Sequence, residues 1–120
     1  MKIFNYILSL LKTSSGDTIK CKIVDIGDWN MDTTTSKSIA HGLTLANIRS
    51  VTAIVRDDAD AIRDSLCTNR ITSMTEINGS VSNISATNIV LERRTGGLFD
   101  NASYDATSYN RGYIIIWYTI

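Results

Sequence analysis

The last nine residues constrain the fold more than any other part of the chain. Residues 112–120 (GYIIIWYTI) are β-branched or aromatic almost without interruption and carry no charge. Such a run is too short to cross a membrane as a helix, and its residue types favour a strand. Because apolar residues occupy both alternating faces, neither face is suited to water. The pattern therefore predicts a central strand that is covered on both sides.

The composition bounds the class of protein. At 120 residues the chain is long enough for one domain with a single core. Its 12 Lys and Arg balance its 12 Asp and Glu, so the basic excess that is typical of nucleic-acid binders is missing. Thr, Ser, Asn and Ile are abundant, Pro is absent and Glu occurs only twice. This composition favours strands and turns over long helices.

The first twelve residues form a distinct apolar segment. A lysine followed by a short apolar stretch resembles a secretory signal, but no small-residue cleavage site follows it. On a helix, the segment has an apolar face made of Ile3, Phe4, Ile7, Leu8, Leu10 and Leu11. We therefore expect a short amphipathic helix or anchor that docks or oligomerises without inserting in a membrane. Residues 14–17 break the pattern, which divides the chain into an N-terminal segment, 1–16, and a β domain, 17–120.

The rest of the chain is patterned as short strands separated by turns. Alternation predicts strands over residues 18–23, 31–39, 48–56, 71–77, 80–84 and 87–93, followed by the final strand. In the first of them Ile19, Cys21 and Ile23 share one face, and Cys21, like Cys67, is expected to be a buried free thiol. Asn78-Gly79 is the strongest hairpin signal. Turns at intervals of about 8–12 residues predict an antiparallel β-sandwich or jelly-roll-like domain.

No catalytic motif is present in the sequence. The only histidine, His41, precedes a glycine, which favours a structural or surface role over that of a general base or metal ligand. The acidic stretch 57–64 lacks the spacing and closing glutamate of an EF-hand, so a solvated loop is expected. Two cysteines and one histidine are too few for a structural zinc site. The sequence predicts a protein that is not an enzyme and uses no metal or cofactor.

A candidate binding surface lies in the polar aromatic stretch before the last strand. Tyr104, Tyr109, Asn110 and Arg111, joined by Trp29 from elsewhere in the chain, combine flat rings with hydrogen-bonding groups. This mixture suits contact with sugars or with a protein partner. The alternative is that the tyrosines pack over the end of the sheet. The sequence leaves both interpretations open.

Four stretches of the sequence form a recognisable series. They are residues 26–32 (IGDWNMD), 39–43 (IAHGL), 48–58 (IRSVTAIVRDD) and 111–118 (RGYIIIWY). In this order they resemble small β-sandwich modules of bacteriophage fibre and appendage proteins, notably in crAss-like and related phages of Bacteroidetes. The resemblance covers residues 24–120 and transfers no catalytic residue.

The resemblance implies a virion structural protein, commonly a homotrimer, that is made in the bacterial host cytoplasm. Because the N-terminal segment is short, it implies a head fibre, a decoration protein or a tail appendage. The segment would dock on capsid, portal or tail proteins, and the outward loops would face a host-surface glycan. The alternative, from another class, is a free carbohydrate-binding, lectin-like domain that uses Trp29, Tyr104 and Tyr109.

Overall fold

A computed structural model describes residues 11–66 and 77–120 of the chain. Within these residues there are seven strands: β1 (Ile19–Asp25), β2 (Ser36–Ala40), β3 (Ile48–Arg56), β4 (Arg63–Ser65), β5 (Gly79–Ile84), β6 (Asn88–Arg93) and β7 (Gly112–Thr119). Two 3-10 turns, Leu45–Asn47 and Ala102–Tyr104, are the only helical elements of the described ranges. None of these helical elements is long and apolar enough to cross a membrane. The predicted all-β class is confirmed.

The strands form two antiparallel sheets. The first has the order β1-β7-β3-β4 and the second the order β2-β6-β5. Buried side chains from both sheets belong to one hydrophobic core, among them Val55 and Ile114 from the first sheet and Leu91 from the second. These three side chains are completely inaccessible to solvent. Their burial is the main driving force for bringing the two sheets together.

The final strand has the central position that its composition predicts. β7 pairs with β1 on one side and with β3 on the other. Its two faces differ, however. Ile114 and Ile116 are fully buried, whereas Trp117 is 41% exposed. Within the described residues β7 is therefore covered on one face only, contrary to the expectation of cover on both sides.

Ile23 and Cys21 of β1 point away from the core, which reverses the predicted orientation, whereas Val24 packs against the core. Ile23 pairs with Ile115, on the opposite face from Ile114 and Ile116, and it is 64% exposed. Cys21, two residues earlier, is exposed as well, so the expectation that it is a buried thiol is wrong. Because side chains alternate along a strand, the pairing with β7 alone decides which set of β1 side chains reaches the core.

One predicted strand begins later than the alternation indicates, and one predicted hairpin turn does not form. The stretch 31–39 is a strand only from Ser36, because the Asn30 side chain accepts the backbone N–H groups of Asp32 and Thr33 and folds the chain into a turn. Asn78-Gly79 does not form a two-residue hairpin turn, since neither residue has the positive φ that such a turn requires. Gly79 is instead the first residue of β5, which forms a hairpin with β6.

The described end of the N-terminal segment is part of a hairpin with β1. Lys12 forms an antiparallel bridge with Thr18, and the Ile19 N–H donates to the Leu11 carbonyl at 2.7 Å. The Thr13 hydroxyl accepts the Asp17 N–H at 3.0 Å, so residues 13–17 form a turn that joins the two paired stretches. The expected helix over residues 1–10, the expected strand over residues 71–76 and the thiol of Cys67 lie outside the described residues.

Candidate interaction surface

The aromatic rings proposed for binding are part of the interior. Trp29 is 2% exposed, and its indole N–H donates to the Thr34 carbonyl at 2.9 Å. Tyr104 is 4% exposed and packs edge-to-face on Phe99, with ring centroids 5.2 Å apart. Neither ring has a face that a ligand could stack on. The expected binding roles of Trp29 and Tyr104 are therefore corrected to packing roles.

Tyr109 and Asn110 are half-buried, and their side chains form hydrogen bonds with the backbone around them. The Tyr109 hydroxyl donates to the Asp57 carbonyl at 2.7 Å, and the Arg56 guanidinium lies 4.3 Å above its ring. The Asn110 side-chain oxygen accepts the Gly27 N–H at 2.8 Å. Of the two interpretations left open by the sequence, the structure shows the second, in which the tyrosines pack over the end of the sheet.

Arg111 is the centre of this end of the domain. Its side chain is completely buried, and its Nη1 lies 3.0 Å from a carboxylate oxygen of Asp58. Nε donates to the Trp29 carbonyl at 3.0 Å and Nη1 to the Arg56 carbonyl at 2.9 Å. A guanidinium with donors in several directions can link these segments, which an ammonium group could not do. Arg111 is thus a structural link and not a surface binding residue.

Three stretches that are separate in the sequence, 26–32, 48–58 and 111–118, meet at Arg111. The N–H of Arg111 donates to the Gly27 carbonyl at 2.8 Å, and the Ile26 N–H donates to the Gly112 carbonyl at 2.9 Å. With the bond to Trp29, these contacts join the stretch 26–32 to the start of β7. These contacts fix the start of β7, whereas Trp117, from the stretch 111–118, is exposed.

The carboxylates of the acidic stretch 57–64 form hydrogen bonds and ion pairs with other groups of the protein. One Asp57 oxygen accepts the N–H groups of Ala61 and Ile62, at 2.8 and 3.1 Å. Asp60 forms ion pairs with Arg56 and Arg63, both within 3.2 Å. Residues 59–63 are exposed, as the expectation of a solvated loop requires, but the carboxylates also bind groups of the protein. These carboxylates stabilise a sharp turn in which Asp60 itself has a positive φ of 52°.

The pKa values of two neighbouring carboxyl groups, those of Asp58 and Asp105, are shifted in opposite directions. Asp58 accepts the N–H groups of Asp105 and Ala106, at 3.1 Å each. Desolvation raises the pKa of Asp58, but the hydrogen bonds from Ala106 and Arg111 outweigh it and hold that pKa below the ordinary value of 3.8. The hydrogen bond between the two carboxyl groups raises the pKa of Asp105. The pair resists the simultaneous ionisation of both groups.

His41 is a buried structural residue. It is 1% exposed, its Nδ1 accepts the Leu43 N–H at 3.0 Å, and its Nε2 lies 2.9 Å from the Ser85 carbonyl. Because Nδ1 is an acceptor, the hydrogen-bond network assigns the proton to Nε2, which donates to Ser85. Both ring nitrogens are therefore occupied. Within residues 11–66 and 77–120, no group of three or more acidic, histidine or cysteine side chains is placed to hold a metal ion.

A group of apolar side chains lies on the side of the first sheet that faces away from the core, which we call the outer face. It consists of Ile23, Ile54, Tyr113, Ile115 and Trp117. The strand register places them together, because Ile23 pairs with Ile115, Tyr113 pairs with Ile54, and β7 lies between β1 and β3. Residues opposite one another in antiparallel strands share a face. Exposed apolar patches are found at protein and membrane interaction sites and in ligand-binding grooves.

A shallow groove crosses one end of the outer face. It has a volume of 410 Å³ and is lined by Ile23, Ile54, Arg63, Asp64, Ser65, Tyr113 and Ile115. The Arg63 guanidinium lies 5.9 Å from the centre of the Tyr113 ring at the β4 side. The surface thus combines apolar area with charge at its rim, which is the usual anatomy of a protein interface.

Sequence reasoning assigned two of these side chains differently. Ile23 was expected in the core, and Ile54 was not considered a site residue. The one available signal was the presence of apolar residues on both faces of the last strand. The predicted docking residues Ile3, Phe4, Ile7, Leu8 and Leu10 lie outside the described residues, and Leu11 is 45% exposed.

Protein-family models, curated proteins and solved structures were all compared with the chain, and none of them matches it.

Proposed function

We propose that this chain is a structural subunit of a bacteriophage particle, in the form of a short head fibre, a decoration protein or a tail appendage. The N-terminal segment would dock on capsid, portal or tail proteins, and the β domain would project from the particle. The two sheets would pack as a jelly-roll-like sandwich, a proposal supported by the single core to which both contribute. Such a protein is made in the host cytoplasm and functions in the virion.

The exposed apolar outer face is the observation that carries this proposal. Trp117 and Ile23, at 41% and 64% exposure, lie on a rigid sheet and offer a surface suited to protein partners. A structural subunit of a multimeric particle requires such surfaces for contact with its neighbours. The resemblance of four stretches of the sequence to phage fibre modules adds independent support.

A sugar-binding function has less support. The rings of Trp29 and Tyr104 are buried, so the flat platform that would stack on a sugar is not exposed. Adhesion to a host glycan would have to use other side chains. We therefore keep decoration or attachment within the particle as the proposed role.

The composition of purified particles tests the proposal. We expect mass spectrometry of phage particles that encode this chain to find it as a stoichiometric component. A chain that lacks residues 1–12 should fold but be missing from the particles. A full-length Leu98→Glu variant, altered at an exposed side chain in the loop between β6 and β7, should be incorporated normally and serves as the control. Particles without the chain, or particles that incorporate the truncated chain as well as the full chain, would contradict the proposal.

A further inference from the structure

We propose that the outer face binds the outer face of a second copy of this chain, about a two-fold axis that runs parallel to β7. The proposal rests on the proposed function in that it names the partner of the same surface. A closed two-fold contact requires a patch that is complementary to itself. The outer face meets this requirement in its apolar centre and in the charges at its two edges.

The apolar centre is provided mainly by β7. Tyr113, Ile115 and Trp117 project from alternate positions of the central strand and have Ile23 and Ile54 on either side. A two-fold axis that runs parallel to the strands, between β7 and β3, places β7 of one copy over β3 of the other, so that Tyr113 faces Ile54 of the second copy. Isoleucine against aromatic rings is a favourable pairing, and aromatic residues dominate the energy of protein interfaces.

The charges at the edges select the direction of the axis. Asp25 lies on β1 opposite Tyr113 and, in the part of the chain that the structure describes, its exposed carboxylate makes no hydrogen bond or ion pair. Arg63 lies at the opposite edge, on β4, where its only ion pair with another described residue is with Asp60. A two-fold axis parallel to the strands places β1 of one copy over β4 of the other. Asp25 then faces Arg63 twice, once in each direction.

An axis perpendicular to the strands lacks this complementarity. It would place β1 over β1 and would bring Asp25 near Ile19 at the far end of the strand. The overall charge of zero adds no repulsion between copies in either arrangement. The favoured arrangement is a face-to-face packing of two sheets, with the strand directions within about 30° of each other and the sheets about 10 Å apart.

The area of the face predicts a reversible dimer. Four strands spaced about 4.8 Å apart, with a rise of about 3.3 Å per residue, give a flat footprint of roughly 300 Å² per copy. Stable interfaces bury about 800 Å² per partner, so this contact is smaller than a stable interface and would be weak. We therefore expect association that depends on protein concentration.

Sedimentation of the full 120-residue chain over a concentration series tests the proposal. We expect a monomer–dimer equilibrium, and Trp117→Glu should raise the dissociation constant at least tenfold. Leu98→Glu places the same charge at an exposed site away from the outer face and should leave the constant unchanged. Circular dichroism of each variant establishes that the fold is retained. A Thr52→Glu variant, on the same face of the neighbouring strand, provides a second test if Trp117→Glu fails to fold.

A charge exchange tests the axis. Asp25→Arg and Arg63→Glu should each weaken the dimer severalfold, because each single change opposes like charges across the contact. The double variant should return the dissociation constant to within about twofold of the original, since the pairs re-form with reversed signs. A dimer that the double variant does not restore would contradict the parallel axis.

Other occupants of the face would overturn the proposal and give distinct results. If the full chain is monomeric at every concentration and a chain without residues 1–10 associates, the N-terminal segment covers the face. If both are monomeric and Trp117→Glu prevents incorporation into particles, the partner is another virion protein. A trimer that is insensitive to Trp117→Glu would also overturn the proposal, although particle composition could still support the proposed function.

Discussion

The guanidinium of Arg111 and the carboxylate of Asp58 form an ion pair, with Nη1 and Oδ1 3.0 Å apart, in which the arginine side chain is completely buried. The pair joins the residue before β7 to the loop after β3. Two further carbonyl groups, of Trp29 and Arg56, accept hydrogen bonds from the same guanidinium. A buried charge with this many partners is costly to leave unpaired. The end of the domain that was expected to bind a ligand is therefore important for stability.

Replacing Arg111 should destabilise the fold strongly. We expect Arg111→Ala to lower the free energy of unfolding by about 3–5 kcal/mol, because Asp58 and two backbone carbonyls lose their partner. Arg111→Lys should recover only part of the loss, since one ammonium group cannot reach all three acceptors. Urea denaturation measures both.

The matched control is Arg49→Lys. Arg49 is exposed on β3, so the exchange should change the free energy of unfolding by less than about 0.5 kcal/mol. A loss below about 1 kcal/mol for Arg111→Ala would show that the network around it is not needed for stability.

Replacing Asp58 and replacing Asp105 should change the stability of the fold at pH 7 in opposite directions. The depressed pKa of Asp58 means that its contribution to stability is present above pH 3.8 and is lost as the pH falls through the lower, folded-state pKa. Asp58→Asn should therefore destabilise the protein at pH 7, and the difference should shrink below pH 3.8. The raised pKa of Asp105 has the reverse effect, because ionising Asp105 beside Asp58 is unfavourable. Asp105→Asn should stabilise the protein at pH 7 and give no advantage below pH 3.8.

Thermal unfolding as a function of pH measures both effects. Asp28→Asn is the control, because Asp28 is exposed and makes no side-chain hydrogen bond within residues 11–66 and 77–120. Equal responses of the Asp58 and Asp105 variants would be inconsistent with a coupled pair.

His41 should stabilise the fold through the hydrogen bonds at both of its ring nitrogens. We expect His41→Ala to lower the free energy of unfolding by about 2–5 kcal/mol, from the lost volume and from the buried groups left without partners. His41→Asn should be intermediate, because a side-chain oxygen at this position can still accept the N–H two residues later, that of Leu43. Chemical denaturation of the two variants and of Thr44→Ala, an exposed neighbour, provides the comparison. Equal losses for Ala and Asn would show that the bond to Leu43 contributes nothing.

Gly112 should not tolerate a side chain. A Cβ at this position would overlap the Ile54 carbonyl oxygen, because the first residue of β7 lies against the backbone of β3. Backbone atoms of a central strand pair cannot move away without breaking the ladder, so we expect Gly112→Ala to cost at least about 3 kcal/mol or to prevent folding. Soluble yield and thermal unfolding measure the effect.

Gly96→Ala separates steric overlap from the general cost of replacing glycine. Gly96 has a φ of +74°, and a Cβ added there would have no neighbouring atom within 4 Å, so only local backbone strain of about 1 kcal/mol is expected. If both variants lost the same stability, the close approach of Gly112 to β3 would not be the cause.

Strand existence was predictable along most of the described chain. The alternation over residues 48–56 coincides with β3, and the paired runs before and after residue 86 coincide with β5 and β6. Local signals fail at β4, which has only three residues and is formed by pairing with β3 after an acidic turn. A strand that short has no periodicity of its own, so only its partner defines it.

The candidate site was the least predictable part. Tyr104 and Trp29 resemble binding residues in sequence, since a ring with a polar group suits an interface and an interior position equally well. Which environment each ring occupies depends on contacts with residues far along the chain, such as those between Arg111 and residues 27–29.

The sequence by itself determined the all-β class and the central position of the last strand, because β-branched and aromatic composition is a local property that any pairing must respect. Only the tertiary structure decided which face of each strand is buried. Ile23 lies on the exposed side because the register between β1 and β7 pairs it with Ile115, which shares a face of β7 with Trp117 and is opposite to the face of Ile114 that meets the core. A shift of one residue in that register would have exchanged the two faces without any change in composition.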